Sequence, residues 1–349
     1  MLQTRPFVSV CCLTYNHEKY LSRALDSILI QKTTFPIEII VHDDASADGT
    51  RNIINEFAKK YPEIIRPVFQ ESNQLKSDIG LYQIYTKYVF PLAKGKYIAI
   101  CEGDDFWSDQ AKLQIQIDFM EKQPECTVCF HKAGILKNGE TNFDIYKDYH
   151  KRILNGRSEF TFNDLLQDNV IPNCSVVYRN TRTEFPDLFG NIIFPDWPLH
   201  LIYAKNGKLG YINKFMAVHH DHESGLWNGN SMINKTKSII SFYIDLLSYL
   251  EAQYHPTIYT MLDRYSHGFE PVDFGSDFEI GYSYGLVRNQ REINKLQEEL
   301  NSVFQSGSWK MAKKITNFIS YFSHKFGILK GNFQTAFSCF WIRITSFRL

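Results

Sequence analysis

Apolar residues cluster in short blocks along the first 130 positions, separated by stretches of helical spacing. Phe7-Val-Ser-Val-Cys-Cys-Leu13, Ile37-Glu-Ile-Ile-Val-His42, Ile64 to Phe69 and Tyr97-Ile-Ala-Ile-Cys101 are short and rich in strand formers, the pattern of strands buried on both faces. Between them, Glu18 to Ile30 places Leu21, Ala24, Leu25, Ile28 and Leu29 on one helical face. A second helix, from about Asp48 to Lys60, does the same with Ile53, Ile54, Phe57 and Ala58. This alternation predicts an α/β fold with a mostly parallel sheet flanked by helices. In such sheets ligands sit outside the carboxyl ends of the strands. Those ends carry Thr14-Tyr15-Asn16, Asp43-Asp44 and Glu102-Gly-Asp104-Asp105. Three polar clusters converging on one edge predict a ligand pocket.

Between about 140 and 230 the pattern loosens into a region rich in aromatics, Asn and Gly. Phe194-Pro-Asp-Trp-Pro198 leads into an apolar helix, Leu199 to Ala204, then a Gly207/Gly210 turn and a strand at Tyr211-Ile212. Residues 235–265 read as helical. From Leu286 to Val303 a short heptad-like seam is able either to pair two chains as a homodimer or to pack within one. The tail then repeats an amphipathic pattern twice, with Trp309, Ala312, Ile315, Ile319, Phe322 and Phe326 opposite Lys310, Lys313, Lys314 and His324.

Charge sharpens the reading of that tail. The 349 residues are formally neutral, but residues 300–349 hold seven cations, eleven aromatics and no acid, leaving a net −7 elsewhere. A basic aromatic helix of this kind suits a membrane interface; packing against the main domain is the alternative. Overall neutrality argues against nucleic acid as a partner. Seven cysteines, three of them inside apparent buried strands, suit a reducing compartment. Cys126-Thr-Val-Cys129 has redox spacing but lies in a strand-like run, so it reads as core. With no signal peptide at the start and no run of about 18 apolar residues, the expected location is cytoplasmic, peripheral on the inner face of the plasma membrane.

The chemistry concentrates in Glu102-Gly-Asp104-Asp105. Three carboxylates leaving a strand end within four residues repel one another, so a divalent cation or solvent must neutralise them. An acidic solvated loop is the plain alternative. Asp43, Asp44 and Asp48 precede a helix and suit capping as well as ligand contact. Asp196 stands just before an apolar helix, where it is able to cap, to act as a base, or both.

With these residues in place the chain resembles the inverting, metal-dependent glycosyltransferases of family 2, whose nucleotide-sugar-binding, Rossmann-like fold is called GT-A. The likeness runs from about Phe7 to Trp227, on Val8-Ser-Val-Cys-Cys-Leu-Thr-Tyr-Asn-His-Glu-Lys-Tyr-Leu21, His42-Asp-Asp-Ala-Ser-Ala-Asp-Gly-Thr50, Gly95-Lys-Tyr-Ile-Ala-Ile-Cys-Glu-Gly-Asp-Asp-Phe-Trp107 and Phe194-Pro-Asp-Trp-Pro-Leu-His-Leu201. It is strongest toward bacterial enzymes that build surface polysaccharides. The resemblance implies a GT-A domain over 1–230, divided into a nucleotide-sugar half (1–130) and an acceptor half (131–230). A helical C-terminal extension (231–305) and a membrane-associating tail (306–349) would follow.

The resemblance also implies roles. Thr14, Tyr15, Asn16, Asp43, Asp44 and Asp104 would contact the nucleotide, Asp44 taking a base imide N–H and Asp43 bracing the turn. Asp104, Asp105, Glu102 and His222 would form the metal site for Mn²⁺ or Mg²⁺. Asp196 would be the general base. Lys112, if not simply solvated, would approach a phosphate. The family's D-x-D pattern is Glu-Gly-Asp-Asp here, so the ligand register stays open. A position commonly Arg is His220 here, which weakens any charge clamp on a diphosphate. Ser224 to Gly229 looks like a loop able to close over the donor. The implied reaction moves a sugar from a nucleotide-sugar, UDP-linked by expectation, to a hydroxyl of a glycan expected to be lipid-linked. A sugar nucleotidyltransferase would need a Gly-rich triphosphate loop, which Thr14 to Lys19 lacks. A catalytically silent membrane adaptor would not need the acids.

Overall fold

The computed structural model describes residues 5–75, 79–142, 159–181, 184–190, 192–222, 225, 227 and 229–266, all within the first of two units, Met1–Tyr284. The Leu286–Val303 seam, the 306–349 tail, the rest of the 231–305 extension and residues 224, 226 and 228 of the 224–229 loop lie outside them.

Among the described residues there are ten strands: β1 (Val8–Thr14), β2 (Ile37–Asp43), β3 (Ile65–Phe69), β4 (Tyr97–Ile100), β5 (Phe106–Trp107), β6 (Cys126–Lys137), β7 (Glu140–Asn142), β8 (Glu159–Phe160), β9 (Val177–Arg179) and β10 (Lys208–His220). They form one sheet in the order β3-β2-β1-β4-β9-β6-β10-β5, with β7 on β6 and β8 on β10. The β3-β2-β1-β4 half is parallel, as the buried apolar runs require. β9 enters antiparallel between β4 and β6, and β10 returns parallel to β6.

Register decides where the site forms. Thr14 pairs with Asp43, and Cys11 pairs with Ile100. β1 and β2 therefore run three residues past the end of β4, and the 102–105 turn tucks beneath the end of β1, with the Gly103 amide on the Leu13 carbonyl at 2.9 Å. A Cβ on Gly103 would lie 2.7 Å from Thr14 Cγ2 and 2.8 Å from His17 Nδ1, so only glycine lets the acidic turn approach this closely.

The helices are α1 (Leu21–Leu29), α2 (Thr50–Lys60), α3 (Lys112–Lys122), α4 (Phe162–Gln167), α5 (Asp196–Ala204), α6 (Met232–Tyr249) and α7 (His255–Ser266). α1 buries Leu21, Ala24, Leu25 and Ile28 as its spacing predicts. Between β3 and β4 the chain makes a wide-turned helix, Ile84–Val89. α5 begins at Asp196, three residues before its apolar run, because Pro198 is tolerated in a first turn whose N–H groups have no helical partner. β10 is far longer than the predicted Tyr211-Ile212, and its register shifts at Ile212/Phe215 and Phe215/Ala217. Such bulges reset the alternation of faces, which hides a long strand from a periodicity argument.

α6 braces the approach to α5. Phe242 lies 4.8 Å from Trp197 and 5.5 Å from Phe194 between ring centroids, Ser238 Oγ accepts from the Ile193 amide and Asp245 from that of Phe189. The six described cysteines are free and buried, Cys126 and Cys129 among them, with thiols pushed up by burial. Among the described residues no helix is long and apolar enough to cross a membrane.

Candidate active site

The site begins where β1 and β2 end side by side. Thr14 Oγ1 donates to the His42 carbonyl at 3.0 Å and lies 3.4 Å from Asp43 Oδ1. Asn16 takes the left-handed backbone (φ 55°), which asparagine tolerates. Its side-chain oxygen then accepts from Ala47 N at 2.9 Å, and its own amide donates to Ser46 Oγ at 2.8 Å. Asp43 is fully buried and bound by Arg51 Nε at 2.7 Å and the Ser46 amide at 3.2 Å. Asp44 accepts from the amides of Gln74 (2.7 Å) and Leu75 (3.3 Å). Its carboxylate thus holds the 73–75 loop in place, with lone pairs left over for a ligand. Asp48 accepts from Thr50 N at 3.0 Å, while the residue at the cap of α2 is Gly49 and no side chain caps that end. Tyr15 stands exposed.

The acidic turn lies next along the edge. Glu102, Asp104 and Asp105 offer oxygens that all lie within 4.8 Å of one another. Tyr85, carried by the wide-turned helix, donates to Glu102 Oε1 at 3.0 Å. Burial, then the charges of Asp104, Asp105 and Asp196, push Glu102 up to about 8, and the Tyr85 hydrogen bond only partly offsets this. Burial alone would raise Asp104 too. His17 at 3.7 Å, the His222 hydrogen bond at 3.0 Å and His219 outweigh it and hold that carboxyl well below the usual carboxylate range. Asp105 Oδ1 accepts from the His220 amide and pairs with His219 Nδ1, both at 2.9 Å. Burial disfavours a charged His219, but Asp105 prevails and raises it to about 10. Asp105 Oδ2 is buried with no hydrogen-bond partner. A buried, unsatisfied carboxylate oxygen beside two further carboxylates fits a hard divalent cation.

Asp196 opens α5 without capping it: the residue before the helix is Pro195, and no side chain caps that end. Its Oδ2 accepts from Asn169 Nδ2 at 2.7 Å and lies 3.9 Å from His200 Nε2, one turn on. The buried His200 is tied through Nδ1 to Tyr178 Oη at 2.6 Å. Burial pushes His200 down to about 4, against the Asp196 charge, so a neutral ring flanks the carboxylate. Among the described residues none donates to Asp196 Oδ1, and the side chain keeps 18% exposure. That Asp196 helps to raise Glu102 puts the two acids in one electrostatic neighbourhood.

The structure therefore brings the three strand-end clusters, His222 and Asp196 to one region of the sheet edge. It also adds residues that sequence reasoning passed over: His17 on Asp104, His219 on Asp105, Tyr85 on Glu102 and Asn169 on Asp196. His17 and His219 sit inside motifs already singled out, and histidine beside a carboxylate cluster was the available signal. Tyr85 and Asn169 carried none. Lys112 is corrected: neither solvated nor near a phosphate, it is fully buried, 2.8 Å from Gln116 Oε1 and 4.1 Å from the centre of the Trp107 ring. Its place on the inner face of α3, behind the acidic turn, excludes the phosphate contact. Trp107 is core, while Phe106 lies under Arg23, with Cζ 4.2 Å from the ring centre.

Three clustered acids and one separate carboxylate thus line the carboxyl edge of an α/β sheet, where ligands bind in such folds. The model of glycosyl transferase family 2 matches residues 9–183, and the chain belongs to that family. It is a glycosyltransferase. An uncharacterised protein of Mycobacterium tuberculosis is 35% identical over 259 residues, 73% of this chain and 68% of that one. TuaG of Bacillus subtilis, named for teichuronic acid biosynthesis, is 27% identical over 242 residues, 68% of this chain and 86% of TuaG. The fold resembles that of S. aureus TarS residues 1–349 bound to UDP-GlcNAc (TM-score 0.55, 18% identity, covering 80% of this chain and 79% of that one), which shows a GT-A fold.

Proposed function

We propose that this glycosyltransferase is metal-dependent and inverting, and that it moves a sugar from a UDP-sugar to a hydroxyl of a lipid-linked bacterial surface glycan. The observation that carries the reading is the pairing of an unsatisfied acidic cluster with a separate, accessible carboxylate. Asp105 Oδ2 is buried without a partner, while Asp196 Oδ1 is open on a side chain already fixed through Oδ2. Asp104, with Asp105 and Glu102, would hold Mn²⁺ or Mg²⁺, and His222 would fix Asp104. When bound, such a cation supplies Lewis-acid stabilisation to the departing nucleoside diphosphate.

The chain's own groups do the rest. Thr14, Tyr15 and Asn16 would line the nucleoside, Asp44 would take the imide N–H of uracil, and Asp43 would keep the turn rigid. Asp196 Oδ1 would accept the acceptor hydroxyl's proton as its oxygen attacks the anomeric carbon opposite the diphosphate, which inverts that centre. The likeness to TuaG favours a surface glycan as acceptor. The basic aromatic tail (306–349) would keep the enzyme beside a lipid-linked substrate on the inner membrane face.

Calorimetric titration with UDP, with and without Mn²⁺, on wild type and Asp104→Ala tests the donor site. Metal-dependent binding is expected in the wild type and its loss in the variant; binding that ignores both metal and Asp104 refutes the reading. NMR of the newly formed linkage tests inversion. Deletion of 308–349 should release the protein from vesicles containing anionic lipid.

A further inference from the structure

The acidic turn leaves a charge problem on its outer side. A departing diphosphate adds negative charge beside three carboxylates. A permanent cation stands close by on a different element. Arg23 lies on α1 three residues after Tyr20, on the same helical face. Tyr20 touches His220 and His222, with ring centroids at 4.7 and 4.9 Å. The Arg23 guanidinium lies 4.2 Å from the centre of the Phe106 ring, directly after Asp105 in the chain. Asp105 and Asp104 both act electrostatically on Arg23, and Arg23 acts on His220.

What Arg23 does not do is as informative. Among the described residues no carboxylate lies within ion-pair distance of it, and no acceptor takes its N–H groups. An arginine serving only to neutralise the acids would be bound to one of them, as Arg51 is to Asp43 at 2.7 Å. Instead the guanidinium rests over the Phe106 ring, and among the described residues its N–H donors stay open. Planar, bidentate donors of this kind match phosphate oxygens.

We propose that Arg23 is a diphosphate-binding residue, presenting its guanidinium from α1 beside the acidic turn. This rests on the reading of the site as a metal–diphosphate site. The test is calorimetry on the full chain with Mg²⁺ plus inorganic pyrophosphate, UDP, or uridine, for wild type, Arg23→Ala, Arg23→Lys and Asp104→Ala. Arg23→Ala is expected to weaken pyrophosphate and UDP alike by about tenfold, the loss of one charge-assisted contact, and to leave uridine unchanged. Arg23→Lys should recover part of the loss, since it keeps the charge without the fork. The position is on the exposed side of α1, where alanine favours the helix. Pyrophosphate bound equally by wild type and Arg23→Ala, or by neither, overturns the assignment, as does an equal loss for uridine. Arg23-dependent pyrophosphate binding without any UDP binding keeps Arg23 and overturns the uridine reading instead. Pyrophosphate binding that survives Asp104→Ala but needs Arg23 keeps the residue and overturns the metal site.

Discussion

Lys112 is a full charge in the core, and its cost should be readable as a function of pH. The side chain is entirely buried, with one hydrogen bond to a neutral amide, the face of Trp107, and three thiols nearby in place of a carboxylate. Burial lowers it from 10.5 to about 8. The sign follows directly. Below about 8 the lysine is charged in both folded and unfolded chains, and the whole burial penalty is present. Between 8 and 10.5 the unfolded chain holds the proton and the folded chain does not, so stability rises as pH rises. With about 1.4 kcal/mol per unit, the penalty at neutral pH is roughly 3 kcal/mol, and about 2 kcal/mol of it is relieved by pH 9.5. Removing the lysine as Lys112→Met abolishes this dependence but leaves Gln116 Oε1 unpaired, a pH-independent cost of about 1–3 kcal/mol. The quantity to measure is therefore the difference between wild type and Lys112→Met in urea unfolding, at neutral pH and near pH 9.5. Wild type should gain about 2 kcal/mol on the variant across that interval. A constant difference would mean that Lys112 is solvated or paired in solution, and would refute the burial argument.

Four shorter predictions concern the site itself. Asp196→Asn should abolish transfer, by at least about a hundredfold, while metal-dependent UDP affinity stays at the wild-type value; retained transfer would exclude Asp196 as base. Asn169→Ala removes the 2.7 Å hydrogen bond to Asp196 Oδ2, so kcat should drop about tenfold with KM for the donor unchanged; an unchanged kcat would exclude Asn169 as a positioning residue. Gly103→Ala drives a methyl to within 2.8 Å of Thr14 and His17; a loss of about 1–3 kcal/mol in thermal stability is expected, with weakened metal-dependent nucleotide binding. His200, lowered by burial from 6.5 to about 4, contributes stability that is present above pH 6.5 and lost as pH falls toward 4, and His200→Leu should flatten that part of the acid unfolding curve.

How much of this was legible follows from where each signal lives. The parallel half of the sheet declares itself because β1, β2 and β4 are buried on both faces, so Val10 to Leu13 and Tyr97 to Cys101 read as apolar runs. Their ends were visible because the apolar run stops where consecutive polar residues begin, and those residues mark the sheet edge; the polar Ser9 and Glu38 inside β1 and β2 are buried as a hydrogen-bonded pair. The second half hides. β9 is three residues long and antiparallel, and the bulges in β10 break the alternation that would have announced thirteen residues of strand.

The site divides along the same line. Asp104, Asp105 and Asp196 sit within local motifs, so chain order was enough to find them. Tyr85, Asn169 and Arg23 reach the site through tertiary packing, from the wide-turned helix, the segment after α4 and the face of α1. No spacing rule connects residue 23 to residue 105, or 169 to 196. Lys112 shows the converse failure. A lysine between apolar helical positions reads as solvated by every composition rule, and only the sheet packed against α3 reveals that this one is inside. The residues that bond to ligand-facing groups are thus the ones sequence reasoning misses, because their chemistry is set by neighbours that the fold alone supplies.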